Sequence, residues 1–263
     1  MRLLLLLALV PLALAASVAA QARPFPSAAL LYDGARGTTP SRQGFTLLTV
    51  PLVGASSGQT YADGGTILDS TPVQSESAGY FASAALVPPL DRAAGYSLEV
   101  TLQLLEERHQ QSDRDGDGVA DRAGFSLIAL SSDVRGIEVG FWPDRVWAQA
   151  DDRTGAQDLF TQAEGAALDT SRLLTYELRV RDDAYTLLVG GEEVLSGPLR
   201  DYRPFVAPID PYETPNLIFL GDDTGQASAR VRLLRAAVYV GGRAVMLPVV
   251  RGPEAQPART RRN

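Results

Sequence analysis

Cysteine and lysine are absent from the 263-residue chain, histidine occurs once (His109), and there are only two tryptophans and two methionines. The missing cysteine excludes thiol nucleophiles, thiolate metal centres and disulfides. One histidine without cysteine cannot assemble the usual zinc ligand set. Stability therefore has to come from a packed interior, which 45% apolar residues on a chain of this length can supply. All 24 cationic side chains are arginine, which reads as codon usage, and 31 acidic ones leave a net charge of −7. That sign disfavours nucleic acid as a partner. There is no glycine-rich phosphate loop. Beyond the N-terminus, no run approaches the roughly 20 apolar residues that a membrane span requires.

The N-terminus itself, MRLLLLLALVPLALAASVAAQA, sets Arg2 before an apolar run from Leu3 to about Ala15, then small residues. This pattern predicts an export signal over 1–20, cut after Ala20 or, alternatively, after Ala22. Pro11 interrupts the run, which is short for an anchor. Loss of Arg2 would take the charge from −7 to −8. The mature chain is expected to be secreted, periplasmic or at the cell surface. The tail RGPEAQPARTRRN is polar, proline-bearing and basic, so residues 248–263 are expected to be disordered.

Strand periodicity dominates the remainder. In YSLEVTLQLLEE the residues Leu98, Val100, Leu102 and Leu104 alternate with polar neighbours, the two-residue period of a half-buried strand. TYELRV and AYTLLV repeat it, and Gly190-Gly191 offers the positive φ of a tight hairpin before EEVL returns. NLIFLG and ASARVRLL read as two more strands. The nearest approach to a helical stripe, TQAEGAALDTSRLL, is broken by Gly165 and Thr170-Ser171. About a dozen strand candidates at 8–12-residue spacing predict an all-β sandwich or barrel. With no internal repeat and no linker, one domain is expected over 24–247.

One hairpin carries more. If Pro143-Asp144 is a two-residue turn in GIEVGFWPDRVWAQAD, then Phe141 faces Val146, Val139 faces Ala148 and Ile137 faces Ala150. On the other face Trp142 meets Arg145, Trp147 covers Gly140, and Glu138 meets Gln149. Apolar pairs with apolar throughout, which is how register is set.

At this point the chain resembles a known group. The stretches LYDG (31–34), LDRAAGYSLEV (90–100), RAGFSLIALSSDVRGIEVGFWPDRVWAQADD (122–152), LFTQAEG (159–165), GPLRDY (197–202) and PNLIFLGDDT (215–224) carry the likeness. Together they are similar to the concanavalin A-like, or laminin-G-like, jelly-roll sandwiches. More narrowly they resemble the bacterial exported proteins named for a choice-of-anchor domain, type Y. The resemblance implies two antiparallel sheets face to face, one of them concave, and a signal peptide. It implies no catalytic residue. Members of that group often end in a surface-sorting segment, whereas this chain ends in RTRRN; simple secretion or periplasmic residence is therefore expected.

Two constellations could carry chemistry. SDRDGDGVADRAG (112–124) sets Asp113, Asp115, Asp117 and Asp121 at positions one, three, five and nine of a calcium-type loop. Gly118 is sixth and the Val119 carbonyl seventh. Gly124 stands where the bidentate carboxylate belongs, so Ser112, Glu106, Glu107 or water would complete the shell. A structural Ca²⁺ is expected, bound at about 10⁻⁴–10⁻³ M; the alternative is a plain Asp/Gly turn. The second constellation is Glu138, Trp142, Arg145, Trp147 and Gln149, aromatic faces beside hydrogen-bonding groups, which suits a sugar. The alternative is that the tryptophans pack under loops. Tyr202, Asp201, Asp222 and Asp223 could line a nearby rim or simply cap turns.

Catalytic signals are weaker. GASSG (54–58) formally matches G-x-S-x-G with Ser56, but no helix follows to make the elbow. The E-x-D-x-x-E strand of jelly-roll glucanases is absent, although Glu138 could supply one acid. The expected function is non-enzymatic binding of a glycan or cell-surface polymer. The alternatives are a polysaccharide-cleaving hydrolase or lyase, and a structural envelope component.

Overall fold

Leu98, Val100, Leu102 and Leu104 are all buried, so the alternation at 97–107 does mark a strand with one face in the interior. Tyr176, Leu178, Val180, Tyr185 and Leu187 are buried in the same way. Gly190 and Gly191 hold φ of 61° and 92° and turn the chain between strands as expected. The stretch closest to a helical pattern forms a short strand at Gln162–Ala167 instead.

The computed structural model describes residues 27–82, 85–151, 159–207 and 210–241. The signal expected over 1–20 and the tail expected over 248–263 lie outside them. The described residues contain fifteen strands: β1 (Ser27–Asp33), β2 (Phe45–Val50), β3 (Gly58–Ala62), β4 (Gly65–Asp69), β5 (Ser77–Ala82), β6 (Tyr96–His109), β7 (Ser126–Leu130), β8 (Gly136–Trp142), β9 (Arg145–Gln149), β10 (Gln162–Ala167), β11 (Leu174–Arg181), β12 (Ala184–Val189), β13 (Glu192–Pro198), β14 (Ile218–Gly221) and β15 (Ala227–Val240).

They form two antiparallel sheets. One runs β13-β12-β11-β6-β15-β4-β3, with β1 beside β4 on the same edge of β15; the other runs β10-β9-β8-β7-β14-β5-β2. This is the all-β jelly-roll sandwich that the sequence led us to expect. A continuous apolar core lies between the sheets, with Leu98, Leu102 and Val231 of the first layer and Leu127, Val139 and Ile218 of the second among its members. Burying each such side chain is worth about 1.5–3 kcal/mol.

The β8–β9 hairpin forms with its two-residue loop, and Val139↔Ala148, Gly140↔Trp147, Phe141↔Val146 and Trp142↔Arg145 pair in the expected register. A Cβ on Gly140 would stand 2.8 Å from the Trp147 ring, so only glycine lets the indole lie flat there.

The seven-stranded sheet is not a simple half-buried layer. All five residues of β7 are buried, which means that its outward face is covered too. A second apolar cluster does the covering: Ile128, Leu130 and Phe219 of the sheet pack against Phe160, Tyr202 and Tyr212. Tyr202 and Tyr212 come from residues 199–217, the connection by which the chain leaves β13 in one sheet for β14 in the other.

Candidate functional site

The connection, described at 199–207 and 210–217, is rich in proline and aromatic residues; apart from the Arg200 bridge to Gly136 it adds no strand and packs across the sheet through the rings of Tyr202, Phe205 and Tyr212. It leaves a cavity of about 280 Å³ on the outer face of the seven-stranded sheet. Phe81, Phe160, Phe205 and Phe219 wall the cavity, and Arg122, Tyr212 and Asp223 supply polar groups. The rings support one another: Phe81 lies 4.8 Å from Phe219, and Phe160 lies 5.3 Å from Phe205 and 5.1 Å from Tyr212. The Arg122 guanidinium sits 5.0 Å above the Phe160 ring, within cation–π reach.

Beneath the cavity lies a buried acid. Glu138 of β8 is 1% exposed. Its carboxyl accepts from the Ser126 hydroxyl at 2.9 Å and from the Tyr212 hydroxyl at 2.5 Å, and Tyr212 Oη also lies 3.4 Å from Asp223 Oδ2. Burial first, and the neighbouring Asp223 charge second, push the Glu138 carboxyl up to about 8. Glu138 therefore keeps its proton at neutral pH, and burial raises the Asp223 carboxyl as well. Asp223 itself is solvent-exposed although protein surrounds it, as at the floor of an open cleft. Its neighbour Asp222 also borders the cavity, but its carboxyl turns inwards. It is buried towards Ser70 and Glu107, its Oδ1 accepts from the Thr224 N–H, and burial raises its carboxyl well above the usual range.

The tryptophan face expected to be an open platform is closed. Trp147 is fully buried over Gly140. Trp142 is enclosed by the His109 ring stacked at 4.2 Å, by Trp147 edge-on at 4.7 Å and by Arg145, and its Nε1–H donates to the Arg122 carbonyl. The Gln149 amide, in the orientation that satisfies it, donates to the carbonyls of Phe160 and Thr161. Glu138 is capped by Tyr212. Sequence alternation put these five residues on the outward face of the sheet, as found, but the chain crosses over that face. The cavity lies beside them; of the rim candidates, Asp222 and Asp223 line it and Tyr202 stacks on its Phe160 wall. Tyr212, Phe205, Phe160 and Arg122 are not among the expected ligand-binding residues. For Tyr212 and Phe205 the sequence signal is the density of aromatic and proline residues in a segment without strand periodicity; Phe160 and Arg122 carry none.

The acidic connection 110–125 joins β6 to β7 and so also crosses between sheets. Asp113, Asp115 and Asp117 are exposed and bring one carboxylate oxygen each within 4.8 Å of the others. Backbone N–H groups order them: Asp113 accepts from Gly116, Asp117 and Gly118, and Asp117 accepts from Val119. The Gly118 N–H foremost, with the others, holds Asp113 below the usual carboxylate range, so it stays ionised. Asp121 does not join this cluster. It is buried at the base of the loop and accepts from the N–H groups of Arg114 and Gln162. Glu106 pairs with Arg108, and Glu107 with His109 and the Gly124 N–H, so neither faces the three aspartates through a free carboxylate. Ser56 lies in a loop whose N–H groups at 56 and 57 donate to Glu76, and the segment after it is β3 rather than a helix. No nucleophile elbow forms.

No protein-family model matches the chain. No curated protein matches it either. Solved structures do. A carbohydrate esterase from the Shiga toxin-encoding bacteriophage phi24B is 12% identical, with 82% of this chain and 97% of that one covered and a TM-score of 0.49. A Bacillus subtilis protein of unknown function with a galectin-like fold is 7% identical, covering 83% and 100%, at 0.48. The VIP36 exoplasmic/lumenal domain in its Ca²⁺/Man-bound form is 11% identical, covering 81% and 88%, at 0.46. Likenesses of this degree concern the jelly-roll architecture and leave the site to be read from its own residues.

Proposed function

We propose that the protein is an exported, glycan- or surface-polymer-binding sandwich whose ligand enters the cavity between Phe160, Phe205 and Phe219. The observation that carries this reading is the pairing of an aromatic wall with hydrogen-bonding groups, the exposed Asp223 and the half-buried Arg122, in one cleft. A sugar presents apolar C–H faces and a rim of hydroxyls, and such a cleft answers both. Export, and kinship with the choice-of-anchor proteins, belong to the same proposal and draw on the N-terminal pattern and the sequence blocks quoted above.

The test is calorimetric titration of an oligosaccharide panel against wild type, Phe205→Ala and Trp142→Ala. Phe205 stands half-exposed at the cavity, so its loss is expected to weaken binding at least about tenfold. Trp142→Ala is expected to leave affinity within about twofold. The opposite ranking would move the site to the tryptophans. A second reading, cleavage of the same polymers, draws support from the Tyr212 hydroxyl and the Glu138/Asp223 pair at the cleft floor. Release of reducing ends or unsaturated products would select it. Absence of any ligand would favour a structural envelope role.

We also propose Ca²⁺ at Asp113, Asp115 and Asp117, with the Val119 carbonyl as a further ligand and Asp121 fixing the base of the loop. Three exposed carboxyl groups in one cluster offer the hard oxygen ligands that such a cation takes. At about 10 mM calcium and a dissociation constant of about 1 mM the gain is about 1.4 kcal/mol, or roughly 3–5 °C in the thermal midpoint. An Asp115→Ala/Asp117→Ala double variant is expected to show no shift. An equal shift in that variant would place the ion elsewhere.

A further inference from the structure

Several of the described arginines pair with an acid. Arg92 reaches Asp133 and Asp183, Arg179 reaches Glu177, Arg200 reaches Glu164, and Arg235 reaches Glu99. Arg122 does not. It forms no ion pair with any described carboxylate and its Nε is buried without a hydrogen-bond partner, although Glu138 and Asp223 are near enough to act on it through space. What holds the guanidinium is the Phe160 ring beneath it, and what it faces is the cavity. Stacking on an aromatic plane fixes the fork while leaving N–H groups available for a ligand.

We propose that the ligand of this cleft is an acidic sugar, a uronate-containing polysaccharide, and that Arg122 receives its carboxylate. The proposal rests on the glycan reading above and narrows it. A planar guanidinium matches a planar carboxylate through two parallel N–H···O bonds, a geometry that a neutral sugar cannot use. Asp223 completes the recognition on the opposite side. The Tyr212 hydroxyl has one proton, and its short bond to Glu138 takes it, which leaves Asp223 oxygens to accept from sugar hydroxyls. A cleft with one cation for the carboxylate and one acceptor for a hydroxyl discriminates by position as well as charge. A fully sulfated chain would meet Asp223 with a second anion and be repelled.

The experiment compares oligouronides (galacturonate, glucuronate and mannuronate series) with their neutral methyl esters, at fixed salt, on wild type, Arg122→Gln and Arg122→Lys. Wild type is expected to bind at least one uronide about tenfold or more above its ester. Arg122→Gln is expected to abolish that preference while leaving the thermal midpoint near that of wild type, which separates loss of the fork from loss of the fold. Arg122→Lys is expected to fall between, since it restores the charge without the fork. Equal binding of acid and ester by wild type would overturn the proposal, as would a preference that survives Arg122→Gln. So would tighter binding of a sulfated oligosaccharide of equal length. If neutral glycans bind in a Phe205-dependent way and uronides do not, the acidic-ligand proposal fails and the glycan site stands. If no glycan binds, both fail.

Discussion

A Glu138→Gln variant is expected to match wild-type stability near pH 4 and to exceed it by about 3 kcal/mol at pH 9. The carboxyl is held near 8 in the fold, against 4.5 for the free group. The folded state therefore binds this proton more tightly than the unfolded chain does. The contribution is fully present below pH 4.5 and is lost as the pH rises towards 8. Such a displacement corresponds to about 3–5 kcal/mol, and glutamine avoids the loss because it never ionises. Its carbonyl oxygen can still accept from Tyr212, and the Ser126 hydroxyl can turn to accept from the amide N–H at the other position. Urea unfolding at a series of pH values measures the difference directly. A difference that does not change with pH would mean that Glu138 is ionised in the fold, and the protonated floor of the cleft would be lost with it.

Trp147→Ala is expected to lower stability by about 3–5 kcal/mol, or roughly 10 °C in thermal midpoint. The indole has no exposed surface, covers Gly140 and meets Trp142 edge-on at 4.7 Å. Its removal opens a void that neighbouring strands cannot close, because Val146 and Ala148 on either side face the opposite core. A ligand platform would behave in the opposite way: alanine would abolish binding and leave the fold alone. A variant with unchanged thermal midpoint would contradict the burial described here.

These two residues show where the sequence was readable and where it was not. Alternation is local, so the strand at 97–107 and the pairing of Val139 with Ala148 could be read from neighbours alone. Alternation also assigned Trp147 and Glu138 to the outward face, correctly. It carries no information on what lies over that face. The cover comes from residues 159–161, 199–207 and 210–217, distant in sequence and without a period. Asp121 illustrates a second limit. Its spacing from Asp113 fits a ligand loop, yet the N–H groups of Arg114 and Gln162 draw it inwards, and Gln162 belongs to a strand forty residues on. The doublet Asp222-Asp223 shows the same: both border the cavity, yet Asp222 is buried and Asp223 exposed, a difference that spacing does not reveal.

The most direct measurement is a crystal structure of the protein soaked with the tightest-binding oligosaccharide of the panel. A sugar ring against Phe160, Phe205 and Phe219, with a hydroxyl within hydrogen-bond distance of Asp223, is the predicted result. Ligand density over Trp142 and Arg145, or on the outer face of the eight-stranded sheet with the aromatic cleft left to water, would contradict the account.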